Sequence, residues 1–137
     1  MSPAKIEQDL IEEFSIIPDA YERFAFVVDR AKNLPPLAEE EKIDPFLVAG
    51  CQAQLWIVPS FDKSSDTWSF RSESDAPIVH AMAALFCQTY SGHKAEAIQD
   101  FEPTFLEKLQ LLTNLTPNRR NGMTQIVRHI RAAVSSS

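Results

Sequence analysis

The sequence predicts an α+β fold, a small antiparallel three-stranded sheet packed against several helices. Apolar residues recur at helical spacing before residue 35 and again after residue 75, while strand-like patterning is confined to the stretch between. The strand candidates also follow one another closely enough to pair as a meander. At 137 residues the chain reads as a single domain spanning 1–137, large enough to bury about two-thirds of its unfolded surface.

Ile6, Leu10, Phe14 and Ile17 fall about one turn apart and predict a first helix, which Pro18 interrupts. Asp19 is placed to cap a second, in which Tyr21, Phe24, Ala25, Val28 and Ala31 form the apolar face. Phe26 and Val27 widen that face, so this helix is expected to lie deep, and Pro35-Pro36 ends it. The acidic segment from Leu37 to Pro45 reads as a solvated connector. Phe46–Ala49 and Leu55–Val58 are the first two strand candidates, the latter stopped by Pro59. Ser60–Asp66 reads as a hairpin loop, and Thr67–Arg71 alternates at period two, as a half-buried strand does. Ser74 or Asp75 then caps a strongly apolar helix through Ile78, Val79, Met82, Leu85, Phe86 and Tyr90, closed by Ser91-Gly92. A short helical piece from His93 to Gln99, a helix containing Phe105, Leu106, Leu109 and Leu112, and a last helix from near Pro117 to Val134 complete the order. Ser135 to Ser137 are expected to fray.

Composition removes several functions. The formal net charge is −6, the wrong sign for a general role on nucleic acid or an anionic membrane, although Arg119 and Arg120 make a local basic pair. Two separated cysteines do not build a disulfide framework. The N-terminal residues contain no apolar core of signal-peptide length, and no run approaches the roughly 18 apolar residues of a membrane span. A cytoplasmic protein with reduced thiols is expected.

Chemistry-bearing patterns are sparse. Cys51, Cys87, His80, His93 and His129 show no zinc-knuckle spacing, and there is no HExxH motif. No glycine-rich phosphate loop and no nucleophile elbow occurs. The three histidines read as solvated or capping side chains, and Trp56 and Trp68 as sheet-face core. The two thiols differ. Cys87 lies inside an apolar helical pattern, where a free cysteine packs as a small hydrophobe. Cys51 follows Gly50 at a bend into a strand and precedes polar Gln52 and Gln54, so it serves either packing or sulfur chemistry. Asp75 reads as a helix cap or as an anchor for the Cys51 loop, and Arg119 as half of a surface ion pair or as a docking residue.

Three blocks bear on that choice: Gly50-Cys51-Gln52-Ala53-Gln54-Leu55-Trp56, Ser74-Asp75-Ala76-Pro77-Ile78-Val79, and Arg119-Arg120-Asn121-Gly122-Met123 behind Leu115-Thr116-Pro117-Asn118. Their order and spacing resemble the SufE family of sulfur-acceptor proteins over nearly the whole chain. Ala53, where serine is common, and His80-Ala81, where a smaller residue or glycine is common, depart from the pattern without touching the thiol. The resemblance implies a SufE/IscU-like fold and a partner protein in sulfur transfer rather than a stand-alone enzyme. It implies that Cys51 accepts sulfane sulfur as a persulfide from a pyridoxal-phosphate cysteine desulfurase of the SufS or CsdA type, activates that enzyme, and passes the sulfur toward a Suf-type iron–sulfur cluster scaffold. The cofactor would belong to the desulfurase, with none bound by this chain. Gly50, Gln52, Asp75 and Arg119 are the loop and docking candidates. Two other readings stand beside this one: a non-catalytic adaptor that tunes the desulfurase allosterically, and an independent thiol enzyme or redox sensor.

Overall fold

The computed structural model describes residues 2–135. Helix α1 spans Pro3–Ser15 and α2 spans Ala20–Ala31. Each begins as its sequence dictates. Ser2 Oγ accepts the Lys5 N–H with Pro3 in the first turn, and the Asp19 carboxylate accepts the Glu22 N–H. In α1, Leu10 and Phe14 are buried, and so is Glu7. The Glu7 carboxylate accepts the N–H groups of Thr104 at 2.6 Å and Phe105 at 3.1 Å, capping the one-turn helix α5 (Phe105–Lys108) from across the fold.

Helix α2 does not lie deep. Its inward residues are Arg23, Val27 and Ala31, whereas Tyr21 is 71% and Phe26 47% exposed. The buried face is narrower than the apolar periodicity predicts, and Arg23 occupies part of it. Its guanidinium donates to the carbonyls of Phe14, Ile17 and Leu109, with the last at 2.8 Å, and these hydrogen bonds offset the cost of removing the charge from water.

The sheet among the described residues has two strands, not three: β1 (Leu55–Asp62) and β2 (Thr67–Ser74), antiparallel from Leu55↔Ser74 to Asp62↔Thr67. The expected Phe46–Ala49 strand makes a single bridge, Leu47↔Trp56, with the Val48 N–H donating to Leu55 O. A tight turn over Asp44–Phe46 on one side and Gly50, with φ of 79°, on the other leave no room for more. Pro59 does not stop β1. It faces Phe70, whose N–H donates to Ser91 Oγ and so points away from β1. At such a non-hydrogen-bonded position the missing proline N–H removes no ladder bond. The hairpin loop therefore shrinks to residues 63–66.

Helix α3 (Pro77–Tyr90) packs on β2 and on α1 and α2, and buries Val79, Met82, Leu85, Phe86, Cys87 and Tyr90. Helix α4 spans Ala95–Asp100. The expected helix through Leu112 ends after α5, because Gln110 takes φ of 59° and the N–H of Leu111 reaches back to Leu106 O at 2.8 Å. With the Gln110 N–H donating to Glu107 O, this is a Schellman cap built on glutamine rather than glycine. Helix α6 runs Pro117–Ser135 against α3, α4 and β1. Ser135, expected to fray, closes it by donating to Arg131 O, and residues 136–137 lie outside the described part. The acidic connector is anchored as well as solvated. Leu37 is buried, Glu41 pairs with Arg71, and Glu73 accepts both the Leu37 N–H and the Lys42 ammonium. No helix of the described residues is long and apolar enough to cross a membrane.

Candidate functional site

The Cys51 segment is a short loop between two fastened roots. Its first root is the Val48–Leu55 backbone bond, which joins the residues on either side of the bend. Gly50 makes the bend, since a φ of 79° is strained for any residue with a Cβ. A Cβ there would also stand 3.1 Å from the Gln125 side chain of α6. The second root is Gln54. Its N–H donates to Asp75 Oδ1 at 3.1 Å, and its carbonyl accepts Ser74 Oγ at 2.7 Å and the Asp75 N–H at 3.3 Å. Asp75 is therefore spent on the loop rather than on capping α3. The cap residue of α3 is Ala76, which offers no side-chain bond, and Ser74 Oγ takes the Ala76 N–H instead.

His80 supports this root from behind and is not a solvated side chain. Its Nδ1 accepts the Ser74 N–H at 3.3 Å, which leaves Nε2–H to donate to Ala31 O at 3.1 Å. The other two histidines are likewise built in. His93 is buried with Nε2 against Thr89 O, and His129 Nε2 lies 3.1 Å from Ile57 O, with burial holding its pKa below the usual imidazole range.

Between the roots, Cys51 is half-buried and packs against the edge of the core. It borders a recess of about 420 Å³ together with Gln52 and Ala53. Val79 of α3 lines the recess together with Thr116, just before α6, and the first turns of α6 supply Asn118, Arg119, Gly122 and Met123. Arg119 stands inside the first turn of α6, where its N–H donates to Thr116 Oγ1. It is half-buried, and no ion pair holds it among the described residues, so the expected surface salt bridge is absent. Among the described residues it is the one charged side chain lining the recess.

Of the residues singled out in the sequence, Cys51, Gln52 and Arg119 share one recess, while Gly50 and Asp75 hold the loop that forms its wall. Gly122 was not singled out, yet it meets the thiol closely: a Cβ built on it would lie 3.6 Å from Cys51 Sγ. The Arg-Arg-Asn-Gly-Met block was the sequence signal for it. No group of three or more His, Cys, Asp or Glu among the described residues is gathered as metal ligands.

Cys87 is chemically remote from this arrangement. It is 6% exposed within α3, and burial pushes its thiol up to about 12, against a weaker opposing pull from a hydrogen bond with Ser72. The two tryptophans are half-buried on the hairpin, Trp68 against Phe61 at 5.0 Å and Trp56 under the Lys42 ammonium at 5.9 Å.

Residues 8–134 match the SufE family, described as an Fe-S metabolism associated domain. An uncharacterized SufE-like protein of Rhizobium etli is 36% identical, over 93% of this chain and 88% of its own length. A second, from Rhizobium meliloti, is 29% identical over 90% of each. The solution structure of a hypothetical protein from Thermus thermophilus shares the fold with a TM-score of 0.76 at 23% identity, covering 99% of this chain and 97% of that one.

Proposed function

The chain belongs to the SufE family, and from that premise we propose that it carries sulfur on Cys51. It accepts sulfane sulfur from a pyridoxal-phosphate cysteine desulfurase of the SufS or CsdA type, raises that enzyme's turnover by clearing its product, and passes the sulfur on for iron–sulfur cluster assembly. The observation that carries this reading is the placement of Cys51 in a recess, on a loop fastened at both ends.

The reaction is thiol exchange. The Cys51 thiolate attacks the outer sulfur of the donor persulfide, a new bond forms from Sγ to that sulfur, and the donor's S–S bond breaks. The electron pair leaves on the donor thiolate, which can take a proton from water, so nothing is oxidised or reduced overall. Delivery repeats the step with a downstream thiolate as attacker and Cys51 as leaving group. A carrier must expose sulfur to its partner yet keep it from oxidants and small thiols between encounters. A half-buried thiol at a glycine bend meets both demands if the bend swings outward on docking while the Val48–Leu55 and Gln54–Asp75 roots stay closed. In this reading Gln52 faces the partner at the mouth, and Arg119 attracts the anionic donor persulfide. The cofactor stays with the desulfurase, the exchange takes place in the cytoplasm, and a Suf-type scaffold receives the sulfur.

The test is desulfurase turnover with and without this chain. Wild type should stimulate sulfide or persulfide production, and Cys51→Ser should abolish the stimulation while still binding the enzyme. Stimulation that survives Cys51→Ser would point to an allosteric adaptor instead. Amide exchange over residues 49–53 tests the loop motion, which is refuted if free and enzyme-bound protein exchange alike.

A further inference from the structure

Gly122 has no backbone reason to be glycine. Of the three glycines in the chain, Gly50 and Gly92 hold φ of 79° and 85°, where a side chain is strained. Gly122 instead lies buried in regular helix within α6, a setting in which alanine is the more stable residue. Nor does packing exclude a methyl group. Beyond its chain neighbours and the nearby backbone of its own helix, a Cβ built at Gly122 meets one atom of the described residues within 4 Å, the Cys51 sulfur at 3.6 Å, which is ordinary contact. What the missing methyl leaves is space beside a thiol, in the wall of the recess that Cys51 borders.

We infer that Gly122 is the seat of the sulfane sulfur, its empty Cβ position letting the outer sulfur of a Cys51 persulfide lie against the α6 backbone, away from solvent nucleophiles. This rests on the persulfide chemistry proposed for Cys51 and adds a positioning residue to it. The S–S bond is about 2.05 Å long. A sulfur set about 45° off the line from Sγ to a methyl carbon 3.6 Å away would stand about 2.6 Å from that carbon, well inside contact, whereas glycine leaves that position open. With alanine at 122 the outer sulfur must therefore turn toward the mouth of the recess. The resting thiol, which the methyl only touches, is left where it is.

The full-length chain and Gly122→Ala are each loaded in two ways, with inorganic polysulfide and with a cysteine desulfurase plus free cysteine, and the decay of the Cys51 persulfide is followed in cyanide. Cyanide attacks the outer sulfur, a C–S bond forms, the S–S bond breaks, and thiocyanate and the Cys51 thiolate are released. Gly122→Ala should melt no lower than wild type and lose its persulfide about tenfold faster, since decay follows access to the outer sulfur. Iodoacetamide alkylation of the unloaded thiol is the readout that separates positioning from a general loosening of the loop. It should change far less than persulfide lifetime does. Equal lifetimes, or alkylation and decay accelerated together, would overturn the inference. A wild-type chain that takes sulfur from polysulfide but none from the desulfurase would instead sink the sulfur-acceptor reading, and the polysulfide arm would still decide the role of Gly122. A thiol that loads from neither donor would overturn both.

Discussion

The two cysteines each border a cavity of comparable size, about 420 Å³ at Cys51 and about 350 Å³ at Cys87. Volume therefore does not separate a thiol built for chemistry from one built for packing. The linings do. The cavity at Cys87 is walled mostly by apolar side chains, Phe14, Val27, Ala31, Phe70 and Leu85 among them, with Arg30, Arg71 and Gln88 also in its lining. The thiol is fixed near the C-terminal end of α3, and burial holds its pKa up at about 12. The recess at Cys51 mixes polar Gln52, Thr116, Asn118 and Arg119 with apolar Ala53, Val79 and Met123, and the thiol hangs from a glycine bend. Since the thiolate is the nucleophile, a site that forbids ionisation is useful only as a wall. The cavity beside Cys87 is the more apolar of the two, and it is not where we place the chemistry.

The sharpest way to break this contrast is to exchange one thiol at a time. Cys51→Ser should remove all desulfurase stimulation, whereas Cys87→Ser should leave it intact; equal losses from the two would end the distinction. The next largest effect is alkaline. Cys87 ionises near 9.0 when unfolded and near 12 when folded, so above pH 9 the unfolded chain binds fewer protons and stability falls as pH rises. The full stabilisation is present below pH 9, and about 1.4 kcal/mol is lost per pH unit beyond it. Tyr90, held up to about 12 by burial, adds to the loss above pH 10. Urea midpoints measured from pH 8 to 11 should fall in wild type and fall less steeply in Cys87→Ala.

Smaller effects probe the loop. Gly50→Ala should cost about 1–2 kcal/mol from its left-handed backbone, with more from the approach to Gln125. Gly92→Ala is its control, with φ of 85° and nothing within 4 Å of the added carbon among the described residues. Equal losses in urea melts would mean the Gln125 contact is slack. Asp75→Ala should cost least, about 1 kcal/mol or below, because its bond to Gln54 is exposed. Its signature should be local, a faster amide exchange at Gln54.

The helices were legible in the sequence because their apolar periodicity is local information, and so was the bend at Gly50-Cys51. What stayed hidden depends on distant partners. The buried faces of α1 and α2 carry Glu7 and Arg23, whose burial is tolerable only because Thr104 and Phe105 donate to one and Leu109 accepts from the other, across separations of 97, 98 and 86 residues. Pro59 looked like a strand terminator because its pairing phase is set by Ser91, which binds Phe70 from the end of α3. Gln110 gave no hint of a left-handed cap, since glutamine is not the residue such caps prefer. In the site, Asp75 looked like a helix cap by position. Only the fold brings Gln54 to its carboxylate and Gly122 to the Cys51 sulfur.

The central claim is that this fold keeps one thiol as filler and offers the other as a sulfur carrier, and residue-resolved mass spectrometry tests it most directly. Wild-type protein is incubated with a cysteine desulfurase and free cysteine, blocked with an alkylating agent, and digested. The account predicts the mass of one added sulfur on the Cys51 peptide and none on the Cys87 peptide. Sulfur on Cys87, or a stimulated desulfurase with Cys51 unmodified throughout turnover, would contradict it.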